Sequence, residues 1–304
     1  MSGQMVAPLP RPADFEAYWG LVKEESRAYR LEATIEPVDL AGLAFVAGVQ
    51  SFKVRFTAPD GVVVGGLAQL PLSPQPAGNL PGLVYFAGYG GELVLHQDFV
   101  TQGFAVFDFS HRGMKLGSTN CDRDNPVPLS IRGVESKETY VYRDIYLECL
   151  LALKFLRNSG WVDSARVGVM GMSQGGALAT GVAALDGEVK ALAADEPWMC
   201  HFANQFANGV GSGDWRPLLA KRPELEGAVR KTLAYFDTLS FAPDVRCPAL
   251  VGLGQADTVC PPEGIRELFH RLPAEKSLLE IPALDHRRSA LWRQQAVAWM
   301  KYWV

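Results

Sequence analysis

The chain of 304 residues exceeds the roughly 100–200 usual for a domain yet still fits one large α/β domain spanning residues 1–304. Its composition, 48% hydrophobic and 20% charged, is that of a soluble globular protein and excludes disordered, collagen-like and coiled-coil chains. With 29 Lys and Arg against 33 Asp and Glu, the net charge is −4 and no basic run is available to follow a phosphate backbone, so no nucleic-acid partner is expected.

Every apolar stretch falls short of the ~20 residues that a bilayer-crossing helix needs. The opening MSGQMVAPLPRPADF lacks the charged and apolar halves of a signal peptide, so a cytoplasmic location without a membrane partner is expected. Five cysteines, Cys121, Cys149, Cys200, Cys247 and Cys260, form an odd, scattered set without a C-x-x-C pair. They read as reduced, mostly structural thiols rather than a metal site.

Along the chain, Phe15, Tyr18, Trp19 and Val22 recur at helical spacing behind Asp14, which predicts an amphipathic helix over 12–30 within an N-terminal arm of residues 1–35. Residues 51–58 and 62–70 alternate around Pro59-Asp60-Gly61 and predict a hairpin at an antiparallel sheet edge. The pattern then changes. Short apolar runs at 83–87, 104–109, 167–170, 191–194, 249–253 and 278–281 alternate with helical segments near 138–158, 175–186, 263–272 and 288–303. Such runs suit strands buried on both faces; joined by right-handed helical crossovers, they form a mostly parallel α/β sheet with helices on both faces. Residues 200–240, with Phe202, Phe206 and Trp215, interrupt the alternation and read as an insertion over the C-terminal edge of the sheet.

The strongest motif is Gly171-Met172-Ser173-Gln174-Gly175-Gly176, because it joins an apolar run to an Ala-rich helix. A serine on such a turn projects its hydroxyl above the sheet. The flanking glycines give the backbone freedom there, and the helix N-terminus offers unpaired N–H groups and a positive dipole end. The alternative is a glycine-rich helix start chosen only for close packing.

A serine hydroxyl is a weak nucleophile until a base takes its proton, so a histidine and an orienting carboxylate are required, in the chain order Ser, acid, His. His96 and His111 precede the serine, His201 lies in the insertion and His270 falls in a helical run. His286, between the run 278–281 and the last helix, is the expected base. Asp257, at the end of the run 249–253 and ahead of Pro261-Pro262, is the expected acid. Asp195 is its rival, or else shapes the pocket floor with Glu196 and Pro197, while Asp285 adjoins the histidine and Asp244 precedes its strand, which disfavours both. The backbone N–H groups of Gln174 and of Tyr89, in the glycine-rich turn 87–91, are the expected oxyanion donors.

Several segments together resemble the acetyl xylan esterase and cephalosporin C deacetylase family of α/β-hydrolases. They are RPADFEAYW (11–19), FAGYGG (86–91), Arg112-Gly113, residues 136–153, GMSQGGALA (171–179), residues 235–262 with their D-x-x-C-P-P, and His286. The resemblance implies an α/β-hydrolase fold that removes acetyl groups from small or oligomeric sugars, with cephalosporin C deacetylation as a related activity. It further implies no cofactor, a cytoplasmic location, and a ring-like homohexamer with active sites facing an interior. The family triad carries over as Ser173, Asp257 and His286, and its oxyanion donors as Tyr89 and Gln174. Departures from the family pattern fall on the pocket walls and oligomer contacts: Met114 replaces the Gln after Arg112-Gly113, Ala87 the His before Gly88-Tyr89, and Arg287 the Glu after His286, and residues 119–135 lack a Gly/His/Trp-bearing stretch.

Arg112 reads as a structural cation bracing a turn, with a pocket role as the alternative. Trp198, close after a strand end, is the aromatic expected in the substrate pocket. Two other functions compete: a general short-chain carboxylesterase or other α/β-hydrolase, and a catalytically silent binding protein on the same fold. A peptidase would bring a gating domain for which the chain has no room.

Overall fold

A computed structural model describes residues 6–38, 48–72, 78–91, 94–114, 125, 127–209 and 213–304, so Cys121 and positions 119–124 and 126 of the divergent segment lie outside the described residues. Among the described residues nine strands form one sheet: β1 (Ala33–Val38), β2 (Val49–Thr57), β3 (Val63–Pro71), β4 (Leu80–Phe86), β5 (Ala105–Ser110), β6 (Val162–Met172), β7 (Leu192–Asp195), β8 (Ala249–Gly254) and β9 (Lys276–Ile281). Their order is β1-β2-β3-β5-β4-β6-β7-β8-β9. The pairings β1/β2, β2/β3 and β3/β5 are antiparallel and all the others parallel. The helices are α1 (Phe15–Ala28), α2 (Gln97–Val100), α3 (Tyr142–Asn158), α4 (Gln174–Leu185), α5 (Phe202–Asn208), α6 (Trp215–Lys221), α7 (Glu226–Leu233), α8 (Thr238–Phe241), α9 (Pro262–Arg271) and α10 (Ala290–Trp303).

The apolar runs of β4, β5, β7 and β8 are buried on both faces, and successive side chains serve opposite layers. Val84, Phe86, Phe107, Val169 and Val251 pack with α3 and α4. Leu83, Tyr85, Val106, Met170 and Leu250 instead meet α2 and α10 through Phe99, Trp292, Ala296 and Met300.

The hairpin predicted around residues 59–61 forms, with the Ala58 N–H donating to the Val62 carbonyl at 2.7 Å. It is not the edge of the sheet, because β1 adds outside β2 in register Ala33↔Phe56 to Val38↔Ser51. Most of β1 is exposed and it carries Pro37, so it shows no apolar alternation, and a proline is tolerated there because an edge strand need not donate on both sides.

Helix α1 packs onto the domain through Phe15, Tyr18, Trp19 and Val22. Trp19 lies against Tyr146 of α3 and against Phe236, with ring centroids 5.1 and 5.4 Å apart, and its indole donates to the Tyr235 carbonyl at 3.1 Å. The segment 200–240 reaches the same core through the fully buried Phe202, Trp215 and Phe236.

Candidate active site

Ser173 sits between the end of β6 and the first residue of α4, at φ 57° and ψ −122°. A positive φ outside glycine costs about 1–3 kcal/mol and persists only where neighbours over-determine it. Here three backbone bonds do so: the Ser173 N–H donates to the Asp195 carbonyl at 2.9 Å, and the Ser173 carbonyl accepts from Trp198 and Ala177 at 2.9 and 3.1 Å. The neighbouring glycines serve a different need from the expected one. None of Gly171, Gly175 and Gly176 has a positive φ; they permit close approach instead. A Cβ on Gly175 would lie 1.9 Å from the Phe86 carbonyl oxygen, and one on Gly171 would lie 2.4 Å from the Gly175 carbonyl.

The turn brings Ser173 to two residues from distant strand ends. Its Oγ lies 3.0 Å from Nε2 of His286, in the loop between β9 and α10, and His286 Nδ1 lies 2.8 Å from Oδ2 of Asp257, in the loop after β8. Asp257 Oδ1 accepts from the N–H groups of Val259 and Cys260 at 2.7 and 2.9 Å, which fixes the carboxylate plane. The loops are tied together by the Gln255 and Ala256 N–H groups donating to the Ile281 and Leu284 carbonyls at 3.1 and 2.9 Å. Burial alone would depress the His286 imidazolium, but Asp257, Cys260 and Glu196 outweigh it and push its pKa well above the usual histidine range.

The other candidates fall elsewhere. Asp195 pairs with Gly252 in the sheet register and points to the α10 side, where it lines a second cavity beside Trp292. Burial, reinforced by repulsion from Glu196, raises its pKa well above the carboxylate range. Asp285 is exposed and pairs with Arg287 at 2.8 Å, Asp244 pairs with Arg11 at 2.5 Å, and the His201 ring caps α5 by accepting from Asn204 N–H at 3.2 Å.

The N–H groups of Tyr89 and Gln174 have no hydrogen-bond partner among the described residues. Gln174 opens α4, where the free N–H groups of the first turn and the helix dipole favour negative charge. Its side chain is held from both ends: Oε1 accepts from Tyr142 OH at 2.7 Å, and the amide NH₂ donates to His111 Nε2. His111 Nδ1–H in turn donates to the Arg112 carbonyl at 2.6 Å, and burial lowers its pKa to about 4, which keeps the ring a neutral acceptor. Nothing in the local pattern around His111 points to this link; it becomes visible only when β5 and α4 are brought together.

Arg112 braces its turn. Its Nε donates to Glu148 at 2.6 Å and its two terminal nitrogens donate to Asp60 at 2.8 and 3.1 Å. Above Ser173 lies a cleft of about 700 Å³ whose rim includes Tyr89, Val259, Arg287 and Arg288. Trp198 is not among its lining residues, and none of the described residues of 200–240 lines it; the Trp198 ring packs on Trp215 and Tyr142 at 6.3 and 5.9 Å. That aromatic therefore closes the insertion onto α3 rather than walling the cleft.

Two further residues, to which the sequence alone assigned no place in the relay, stand beside it. Cys260, read as a structural thiol, places Sγ 3.9 Å from Ser173 Oγ, and Glu196 places Oε2 3.3 Å from His286 Nδ1. Asp257, Cys260 and His286 bring ligand-type atoms within 4.8 Å of one another, but both ring nitrogens of His286 are already engaged by Ser173 and Asp257, so no lone pair is free for an ion.

The family model for acetyl xylan esterase (AXE1) matches residues 6–303. The acetyl esterase Axe7A of Xylanibacter ruminicola is 25% identical over 315 residues, covering 99% of this chain and 69% of that protein. The acetyl xylan esterase from Paenibacillus sp. R4 superposes with a TM-score of 0.89 at 25% identity, covering 98% of this chain and 97% of the other. For acetyl xylan esterase 1 from Thermoanaerobacterium sp. JW/SL YS485 the TM-score is 0.84 at 24% identity, with 96% and 94% covered. The chain has the α/β-hydrolase fold, belongs to the acetyl xylan esterase family and is a carboxylic ester hydrolase.

Proposed function

We propose that the protein is a serine esterase that removes acetyl groups from small or oligomeric acetylated sugars through an acyl-enzyme. The observation that carries this is the continuous relay from Ser173 Oγ to His286 Nε2 at 3.0 Å and from His286 Nδ1 to Asp257 at 2.8 Å. His286 takes the Ser173 proton as Oγ attacks the acetyl carbonyl carbon, and the oxyanion receives hydrogen bonds from the Gln174 and Tyr89 N–H groups. His286 then gives that proton to the departing sugar oxygen. A water molecule repeats the sequence on acetyl-Ser173 and releases acetate. Asp257 stays ionised and holds the ring in the tautomer that can accept from serine.

The rim supports a hydroxylated alcohol. Arg287, Arg288 and Tyr89 present polar groups there, and Arg288 has no carboxylate partner among the described residues. Cephalosporin C is a related substrate of the same proposal, as an acetyl ester of a polar alcohol. We also propose a cytoplasmic homohexamer. For the hexamer the family resemblance is the whole support, since the aromatic face of α1 is covered within the chain. Among the described residues no helix is long and apolar enough to cross a membrane.

One observation favours a general short-chain carboxylesterase. A mostly apolar cavity of about 410 Å³, lined by Met170, Met172 and Trp292, adjoins the cleft through Tyr85 and Arg288 and offers room for a longer acyl chain. A p-nitrophenyl ester series from acetyl to octanoyl, run beside acetylated xylo-oligosaccharides, decides between them. A closed slot loses about 10–200-fold in kcat/KM when acyl carbons are added. A maximum at butyryl or beyond overturns the acetyl preference, and a monomer in light scattering overturns the hexamer.

A further inference from the structure

Glu196 has no part in the relay from Ser173 to Asp257, yet it supplies a second carboxylate at His286. Its Oε2 lies 3.3 Å from Nδ1, the same nitrogen that Asp257 engages at 2.8 Å. The side chain is fully buried and, apart from this approach to His286, neither oxygen has a hydrogen-bond partner among the described residues. A buried carboxylate with a single partner is costly in a low-dielectric interior: burial raises its pKa and His286 works against that rise, whereas an apolar side chain would fill the same space without the cost.

The fold carries two further constraints to keep it there. Glu196, the residue after β7, adopts φ 42°, and its side chain reaches His286 while that of Asp195 goes to the α10 side. Opposite it, Gly254 has no Cβ; one would lie 2.8 Å from Glu196 Oε1 and 2.5 Å from the Leu284 carbonyl oxygen. The Glu196 N–H is anchored to the Gly252 carbonyl at 3.0 Å.

Asp257 already accepts three hydrogen bonds, from two amides on Oδ1 and from His286 on Oδ2, whereas Glu196 has only its approach to His286. Glu196 is free to respond when the ring gains a proton. We propose that Glu196 is a positioning residue, a second carboxylate that shares the Nδ1–H of His286 with Asp257 and stabilises the imidazolium formed as Ser173 is deprotonated. This rests on the Ser173–His286–Asp257 reading and adds to it that the acid function is divided between the ends of β7 and β8.

The groups facing His286 are Asp257 and Cys260 after β8, Glu196 and the more distant Asp195 at the end of β7, and Ser173, with Asp285, Arg287 and Arg288 in its own loop. Burial disfavours charge on the ring, and the surrounding carboxylates and thiol outweigh it. Neutralising Glu196 therefore destabilises the imidazolium. The base form then appears at lower pH, and the transition state in which the ring is charged is less well supported.

The test is Glu196→Gln, which keeps shape and removes charge, with Glu196→Asp as the charge-retaining control. Glu196→Gln is expected to lower kcat by about 10-fold with KM unchanged, within the coupling range of two groups on one network. It should also move the acid limb of kcat/KM to lower pH by about half a unit or more, and shift the downfield NMR resonance of the His286 Nδ1 proton. Glu196→Asp should restore part of each change, and Glu196→Gln should cost Asp257→Asn a further ~10-fold. Wild-type kcat, acid limb and Nδ1 proton resonance in a folded Glu196→Gln would overturn the proposal. If Glu196→Gln does not fold, an unshifted acid limb and Nδ1 resonance in Glu196→Asp overturn it instead. Ser173→Ala separates the two claims: full activity in that variant removes the triad reading itself, whereas an inactive Ser173→Ala beside a wild-type-like Glu196→Gln removes only the role of Glu196.

Discussion

Asp257→Asn is a sharp perturbation because the site leaves the amide one orientation. Its oxygen must remain with the Val259 and Cys260 N–H groups at 2.7 and 2.9 Å, so the NH₂ faces His286 Nδ1. The flipped amide would set donors against donors at a residue only 3% exposed, leaving buried groups unpaired at about 1–3 kcal/mol each. Facing an NH₂, Nδ1 becomes the acceptor, the ring proton moves to Nε2, and Ser173 Oγ at 3.0 Å meets a donor where a base is needed. With a single carboxylate this exchange costs kcat about 10⁴-fold, or about 5.5 kcal/mol of transition-state stabilisation. Glu196, 3.3 Å from the same nitrogen, can still accept Nδ1–H and oppose the wrong tautomer. The expected loss is therefore about 10³-fold, reaching about 10⁴-fold when Glu196→Gln is added. KM should stay within about twofold, since Asp257 does not line the cleft. Steady-state hydrolysis of p-nitrophenyl acetate, normalised to phosphonate-titrated sites, separates kcat from KM, and circular dichroism checks the fold. A kcat within about threefold of the parent in both variants, or a larger loss in Asp195→Asn than in Asp257→Asn, would refute the assignment of the acid.

Ser173→Ala should keep the fold and lose about 10³–10⁶ in activity on acetyl esters, together with labelling by a fluorophosphonate; unchanged turnover in a contamination-free preparation would sink the triad reading. Because its neighbours raise the His286 pKa and the base must be neutral to act, kcat/KM should rise with pH through an acid limb lying above the ordinary histidine value of about 6.5; a midpoint below that value in the pH–rate profile contradicts the raised imidazolium. Arg112→Ala takes the guanidinium from Glu148, a fully buried carboxyl that burial already pushes up to about 7 and that keeps only the backbone N–H of position 112 at 2.9 Å, so the residue protonates and the cost is held near the low end for a broken buried pair, about 3 kcal/mol; an unchanged urea midpoint would return Arg112 to a pocket role. Gly175→Ala places a Cβ 1.9 Å from the Phe86 carbonyl oxygen, with backbone on both sides of the contact, and should cost about 3 kcal/mol or more by thermal melting, whereas a melting temperature within a few degrees of wild type would show that the turn can relax.

Much of the architecture is legible in the chain because its causes are local. The runs at 83–87, 191–194 and 249–253 are apolar throughout since those strands are buried on both faces, and period-2 exposure cannot appear where there is no exposed face. Strand β1 escapes for the opposite reason: its residues are mostly exposed, and it is held by backbone pairing to β2, which leaves no mark on side-chain type. The glycines around Ser173 are legible as a motif, but their cause is not. The sequence suggests freedom of φ, and the structure assigns the unusual φ to Ser173 itself and close backbone contact to the glycines.

The sequence by itself determined the strand–turn–helix that raises Ser173, and the order in which an acid and a histidine must follow it, because a tight turn and a strand end are properties of neighbouring residues. Which carboxylates reach the ring was decided only by the tertiary structure. Asp195 and Glu196 are adjacent in the chain and nearly equivalent to any pattern, yet one residue of alternation and a positive φ send Asp195 toward Trp292 and Glu196 to His286 Nδ1. Trp198, next to the same bend, turns onto Trp215 for the same reason: direction at a strand end is set by what packs against it, and the partners of Glu196 and Trp198 come from chain segments that meet them only once the sheet has formed.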